Sequence, residues 1–373
     1  MNAVEKNAIA DDTAAMLCPV NSHNEWDPLE EVIIGTVEGA MFPAWNTINI
    51  ATVPPDMWAE MEERMGGGGV PYSPEVVRMA RDELENFVHI LEAEGVIVRR
   101  IDPRDYALPF STPDWQITSG FCAANPRDPF LVIGNEIIET PMADRSRYFE
   151  AWAYRSLFKE YFKAGAKWTA APKPQLLGAL YDADYTVPAS DEEMRYIITE
   201  FEPVFDAADF VRCGRDIFCQ ESNVTNKFGI EWLQRHLGDG YRVHTIHNRS
   251  PEAIHIDTTF MPLAPGKVLV NPEYLDMDRL PTILKSWDLL IAPEPPPLGD
   301  PLCGVSEWAG VNVLMLDEER VIVEKRQEPL IKAFKEWGFT PIPLSFEHYY
   351  PFLGSFHCST LDVRRRGKLQ SYF

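Results

Sequence analysis

The sequence predicts an α/β fold assembled from recurring β-β-α-β units, and three observations carry that expectation. Short runs of β-branched and aliphatic residues alternate with stretches of amphipathic helical spacing, so the apolar period switches between strand-like and helix-like along the chain. The order strand, strand, helix, strand returns without residue-level repetition. The composition, 45% hydrophobic and 12% aromatic over 373 residues, supports a sizeable core and is unlike that of a disordered chain. Recurrence of this kind suggests several similar modules closing around a centre.

Taken in order, Val32-Ile33-Ile34 reads as an early strand. Ser73-Pro74 opens a helix, because a hydroxyl can cap free N–H groups and proline suits the first helical position. Val77, Ala80, Leu84, Val88 and Leu91 follow at three- and four-residue steps, Gly95 stops the helix, and Val96-Ile97-Val98 is the next strand. Leu131-Val132-Ile133 and Glu136-Ile137-Ile138 precede a helical stretch from Arg145 to Phe162, a second such unit. A further unit runs from a strand at Asn312 to Leu316 through a turn at Asp317-Glu318-Glu319 to its partner at Val321 to Val323. A helix through Leu330, Ile331, Phe334 and Trp337 then ends at Gly338, and Pro341 to Leu344 is extended. Gly66 to Gly69 and Pro293 to Asp300 read as loops, and the glycines lack the flanks of a phosphate-binding motif. Residues 1–20 are expected to be a flexible N-terminal segment and 21–373 a single domain.

A formal charge of −23 argues against nucleic acid as a partner and suits attraction of small cations. Met1 to Leu17 carries Glu5, Asp11 and Asp12 and lacks a secretory pattern, and no apolar run reaches the roughly 20 residues that span a bilayer. The expectation is a cytoplasmic protein with no membrane partner. Its six cysteines (18, 122, 213, 219, 303 and 358) are too sparse for a disulfide scaffold, and Cys213 and Cys219 have the wrong spacing for a CxxC redox motif and no matching second pair for zinc. No metal is expected. The sequons at Asn223 and Asn248 carry no weight without a signal peptide.

Chemistry concentrates in Gly354-Ser355-Phe356-His357-Cys358, where a thiol sits in a small-residue turn. A thiol of pKa about 8.5 needs a base or a cation to become a nucleophile. His255-Ile256-Asp257, read as an extended segment, would present imidazole and carboxylate on one face. Asp206 and Asp209 in one segment and Asp128 in Asn125-Pro126-Arg127-Asp128 add acids. His357 is expected to point away from its neighbour's thiol. Singly, each has a structural explanation: Cys358 and His255 as core residues, Asp206, Asp209 and Ser306 as caps, Asp128 as a turn residue, Arg364 to Arg366 as solvated or salt-bridged surface.

In combination and in order, NPRDPFLVIGNEIIE, FDAADFVRCGRDIF, HIDTTF and GSFHCSTLDVRRRG resemble the glycine amidinotransferase family, from about Asn21 to Phe373. That family includes the inosamine-phosphate, cylindrospermopsin-pathway and saxitoxin-pathway amidinotransferases. The resemblance implies the pentein fold, an α/β-propeller of five ββαβ modules with pseudo-fivefold symmetry and a site in the central channel. It also implies cofactor-free, ping-pong transfer from L-arginine to a small primary amine. Cys358 would attack the guanidinium carbon, His255 would protonate departing L-ornithine, and an amidino-cysteine would pass its amidino group to the amine. By the same resemblance Asp206 orients His255, Asp128 and Asp257 clamp the guanidinium, and Ser306 contacts substrate; a homodimer is compatible with it.

Glu252 and Ile254 stand where glycine-using members have asparagine and methionine, and Tyr274 replaces an arginine that contacts the donor carboxylate. A negative charge there disfavours glycine and favours an amine or polyamine. Glu252 to Thr259 and Tyr349 to Ser355 look most like the saxitoxin-pathway enzyme, whose acceptor is an arginine-derived amino ketone, with the inosamine-phosphate type second. The rival functions are an arginine deiminase-like hydrolase with the same apparatus and a non-enzymatic pentein-fold binding protein, which would not need the Cys-His-Asp set.

Overall fold

A computed structural model of the protein describes residues 18–189, 192–298 and 305–373. Five three-stranded sheets repeat one plan, in which the first two strands are antiparallel and the third joins the second in parallel across a connection. The chain begins with β1 (Leu29–Ile34), then the short helices α1 (Thr47–Thr52) and α2 (Trp58–Met65), the long helix α3 (Pro74–Ala93) and β2 (Ile97–Arg100). The second unit is β3 (Phe130–Ile133), β4 (Glu136–Glu139), α4 (Arg155–Lys163) and β5 (Lys167–Ala170). The third is β6 (Phe210–Cys213), β7 (Asp216–Gln220), α5 (Lys227–Leu237) and β8 (Arg242–Ile246). The fourth, β9 (Phe260–Ala264), β10 (Lys267–Val270) and β11 (Asp288–Ile291), replaces the helix with 3₁₀ turns at Met277–Arg279 and Thr282–Ser286. Pro272 and Pro281 lie in that connection and disfavour an uninterrupted helix. The fifth is β12 (Leu314–Met315), β13 (Arg320–Glu324), α6 (Glu328–Glu336) and β14 (Thr340–Leu344).

The last strand, β15 (Thr360–Arg365), does not start a new sheet. It pairs antiparallel with β1, Val32 opposite Asp362 and Ile34 opposite Thr360, and so supplies the missing leading strand of the first module. The ring of five ββαβ modules is closed by the two ends of the chain, and the fold is the pentein α/β-propeller. Among the described residues no helix is long and apolar enough to cross a membrane.

Local chemistry explains the elements. Ser73 Oγ accepts from the Val76 N–H at the start of α3, Pro74 follows it, and the helix buries Ala80, Leu84, Phe87, Val88 and Leu91. Strands such as β6 and β7 are buried throughout, so they read as apolar runs interrupted only by polar residues that find buried or half-buried partners on other segments. One of these is Arg212, 2% exposed, whose guanidinium binds Glu25, Ser22 and Asp362 near the centre of the ring.

Some boundaries differ from the sequence expectation. The stretch Arg145 to Phe162 breaks into 3₁₀ turns at Arg145–Arg147 and Glu150–Tyr154 before α4, with Asp144 bonding the Ser146 N–H at the first of them. The strand expected at Asn312 to Leu316 shrinks to Leu314–Met315, because Asn312 bonds the turn that carries Cys358. Arg365, expected at the surface, is 1% exposed and paired with Asp362, whereas Arg366 is exposed and bonded to Glu30. Of the N-terminal segment expected to be flexible, residues 1–17 lie outside the described residues, as do Cys303 and the end of the Pro293 to Asp300 loop.

Candidate active site

The repeat converges turns on one place. The segment ahead of each module's first strand carries a functional side chain: Asp128 before β3, Asp206 before β6, His255 and Asp257 before β9, Ser306 and Asn312 before β12, and Cys358 before β15. All of these line a single cavity of about 280 Å³. Residues more than two hundred positions apart meet there because equivalent turns of a closed ring face the same axis.

Cys358 Sγ, a ring nitrogen of His255 and a carboxylate oxygen of Asp128 lie within 4.8 Å of one another. His255 Nε2 is 3.1 Å from Asp206 Oδ2, and its Nδ1 is 3.6 Å from Asp128 Oδ1. The thiol donates to Asp257 Oδ2 at 3.2 Å. Asp128, Asp206 and Asp257 are all buried, and each retains one buried carboxylate oxygen with no hydrogen-bond partner. Buried carboxylate oxygens without donors are costly in a finished structure. Three of them around one thiol mark a place prepared for a cation with several N–H groups.

The expected extended segment at His255-Ile256-Asp257 is not extended. His255 has φ 59°, and Ile256–Thr258 is a 3₁₀ turn, yet both side chains line the cavity. A left-handed histidine costs on the order of 1–3 kcal/mol and survives only where its surroundings fix it. Leu353, φ 61°, is a second such residue at the same cavity. Gly354 follows, and a Cβ there would lie 2.2 Å from Asn125 Oδ1, so that residue type is dictated by close approach.

Charge within the cavity is unbalanced. Burial lowers the affinity of His255 for its proton, but Asp128 and Asp206 outweigh it and hold the imidazole well above its usual range. Asp128 is raised by burial, and Glu150 behind it is pushed up to about 7 for the same reason. Cys358 is pushed up to about 12 by burial and by the neighbouring Asp257. A cation between Asp128 and Asp257 would offset the negative charge that faces the sulfur. Asp257 runs the other way: bonds and charge from His357 overcome burial and hold it below the usual carboxylate range.

Three contributors escaped the sequence analysis. Asn312 Nδ2 donates to Cys358 Sγ at 2.9 Å while its Oδ1 accepts from the His357 and Cys358 N–H groups. It precedes its strand by the same two residues as Cys358 and Asp128 precede theirs, a positional signal that aligning the modules would have exposed. Arg147 reaches Asp128 Oδ2 at 2.9 Å and is held by both oxygens of Glu150. In sequence it was one arginine in a polar helical stretch, with nothing to single it out. Asp144 also lines the cavity.

The weaker candidates take up the opposite walls. Glu252, Ile254 and Tyr274 line the cavity, with Tyr274 Oη 2.7 Å from Ser306 Oγ. Ser306 also caps its 3₁₀ turn by accepting from the Trp308 N–H, so its expected cap role is present too. Ile48, Met57, Met61 and Met65 from α1, α2 and the turn between them give the cavity an apolar wall. Asp209 stays in the interior, bonded to Gln220, Ser222 and Thr225.

No family model matches the chain. It is 49% identical over 355 residues to the L-arginine:L-lysine amidinotransferase of Pseudomonas savastanoi pv. phaseolicola, covering 95% of this chain and 96% of that one. Among solved structures it superposes on an amidinotransferase from Microseira wollei in the saxitoxin biosynthetic pathway with a TM-score of 0.89 and 68% identity, covering 95% of this chain and all of the other. The inosamine-phosphate amidinotransferase of Streptomyces griseus gives 0.87 and 39%, covering 95% and 99%.

Proposed function

The chain belongs to the amidinotransferase family, and we propose that it moves the amidino group of L-arginine to a primary amine through Cys358. The observation that carries this is the thiol ringed by three buried carboxylates, each with an unbonded oxygen. A guanidinium has five N–H donors in a plane and a permanent charge, and it supplies what those oxygens lack.

Asp128 and Asp257 hold the guanidinium beside the sulfur, and its charge favours the thiolate that burial alone disfavours, the thiol proton leaving to solvent as the cation enters. The thiolate attacks the guanidinium carbon. The bond to the ornithine nitrogen breaks as His255, protonated between Asp128 and Asp206, gives that nitrogen its proton. An amidino-cysteine remains. The now neutral His255 takes a proton from the incoming amine, which attacks the amidino carbon and expels the thiolate. Asp206 orients the imidazole throughout, and Asn312 donates to the sulfur each time it carries charge. No step requires a cofactor.

The acceptor side favours a cationic or neutral amine with an apolar body. Glu252 repels a carboxylate, and the methionine wall gives alkyl groups a surface. The similarity to the saxitoxin-pathway protein points to an arginine-derived amino ketone ahead of lysine, an inosamine phosphate or glycine. Tyr274 with Ser306 replaces a guanidinium anchor by hydroxyls on the wall that would receive the donor carboxylate. The enzyme acts as one domain over residues 21–373, in the cytoplasm.

Mass spectrometry of the protein mixed with L-arginine alone provides the test. An amidino adduct on Cys358, released by amines and absent in Cys358→Ala, is the expected result. Citrulline and ammonia without any amine-dependent guanidino product would instead make the chain a hydrolase.

A further inference from the structure

His357 is next to the proposed nucleophile, is 1% exposed, and has no part in the steps above. Its ring lies behind the cavity wall. Nδ1 is 2.9 Å from Asp257 Oδ2, the same oxygen that accepts from Cys358 Sγ at 3.2 Å. Nε2 is 3.3 Å from Glu25 Oε2, and Glu25 is gripped by the Arg212 guanidinium. The backbone on either side is pinned as well: Asn312 Oδ1 accepts from the His357 N–H, and the His357 carbonyl accepts from Arg127 Nε at 3.0 Å. The charged groups facing the ring are therefore Asp257 and Glu25, with Arg127 and Arg212 behind Glu25.

Each nitrogen-to-carboxylate contact needs one hydrogen. The ring thus spans two buried carboxylates, one on each nitrogen. An imidazole fixed on two sides stands directly behind the carboxylate that faces the thiol.

We infer that His357 is a positioning residue for the donor half-reaction: its Nδ1–H fixes Asp257 so that one oxygen bridges ring and thiol while the other is presented to the guanidinium. The inference rests on the role given to Asp257 under the proposed function. Without that contact Asp257 Oδ2 keeps only the thiol as partner, and a carboxylate so close to sulfur can rotate toward it or take up a proton. Either change removes half of the guanidinium clamp.

Two isosteric amides separate this from a packing role. The amide nitrogen of asparagine occupies the place of Nδ1, so His357→Asn retains the bond to Asp257 and loses the one to Glu25. The amide nitrogen of glutamine occupies the place of Nε2, so His357→Gln does the reverse. The readout is the rate of amidino-adduct formation on Cys358 against L-arginine concentration, beside the melting temperature of each variant. His357→Asn is expected to stay within about tenfold of the parent, and His357→Gln to lose about 100-fold, chiefly as weaker arginine binding, the size of one charge-assisted bond. Activity should follow the Asp257 contact whichever variant melts higher. Equal losses, the opposite order, or failure of both variants to fold would overturn the inference while adduct formation by the parent leaves the proposed function standing. Absence of an adduct in the parent would bring down both.

Discussion

Two buried charge clusters lie back to back near the centre of this ring, and they follow opposite rules. In one, Glu25 and Asp362 face Arg127, Arg212 and Arg365, and every carboxylate oxygen has a cationic partner. In the other, Asp128, Asp206 and Asp257 face His255 and Arg147, and each carboxylate keeps an oxygen without a hydrogen bond. Most members of both come from the leading strands of the modules and the turns before them, with Glu25 from the segment ahead of β1 and Arg147 from the 3₁₀ turn after β4. The first is closed and holds strands together; the second is left short of positive charge, and that shortage is what would draw in a guanidinium. Asp257, bonded through His357 to Glu25, belongs to both.

The contrast breaks most visibly at Arg212. Replacing it with methionine leaves Glu25 and Asp362 buried with fewer partners, and loss of one side of a buried pair costs about 3–5 kcal/mol. Arg212→Met should melt far below the parent or fail to fold; a melting temperature near the parent's would show that the closed cluster is not structural. Asp128→Asn should do the reverse. It is expected to reduce kcat/KM for arginine about 10²–10³-fold, as loss of a preorganised charge does, while its melting temperature holds or rises, since an incompletely bonded carboxylate is removed. A drop in stability as large as that of Arg212→Met would erase the distinction.

Proton linkage sharpens it. In and just behind the cavity His255, Asp128 and Glu150 are all raised, so the folded state holds protons there more tightly than the unfolded chain. Their contribution is complete below the unfolded values of 3.8, 4.5 and 6.5 and is lost as pH climbs through the folded ones. Glu25 and Asp362 are lowered, so their contribution stands above 4.5 and 3.8 and is lost as pH falls through the folded values. Melting curves across pH should show a cavity-dependent loss above pH 6.5 that His255→Gln removes, with the acid limb unchanged. If His255→Gln altered the acid limb instead, the assignment of the two limbs would be wrong. The smallest effect belongs to the acceptor wall. Glu252→Gln should raise KM for a cationic amine by about 3–10-fold, as expected for one partly screened charge, and leave adduct formation from arginine untouched, which single-turnover measurements would check.

How much of this was legible in the chain varies by region for physical reasons. The helix at Ser73-Pro74 and the β-β-α-β grammar near residue 312 were readable because caps, glycines and apolar periods act over a few residues. The broken helix at Arg145 was not foreseen, and the prolines at 272 and 281 that divide the fourth module's connection were a local signal left unread. Cys358, His255, Asp206, Asp128 and Asp257 could be chosen as candidates because their residue types carry the chemistry. The left-handed backbone of His255, the burial of Arg365 and the cavity positions of Asn312 and Arg147 had no local signal.

Side-chain chemistry and short-range preference thus defined the modules and the reactive groups, since both are properties of neighbouring residues. Closure of the ring by β1 and β15 settled the rest: which turns face one another, which carboxylates find arginines, and which three keep an oxygen unbonded around one thiol. Those outcomes depend on distances between segments up to hundreds of residues apart, and such distances exist only once the chain has folded.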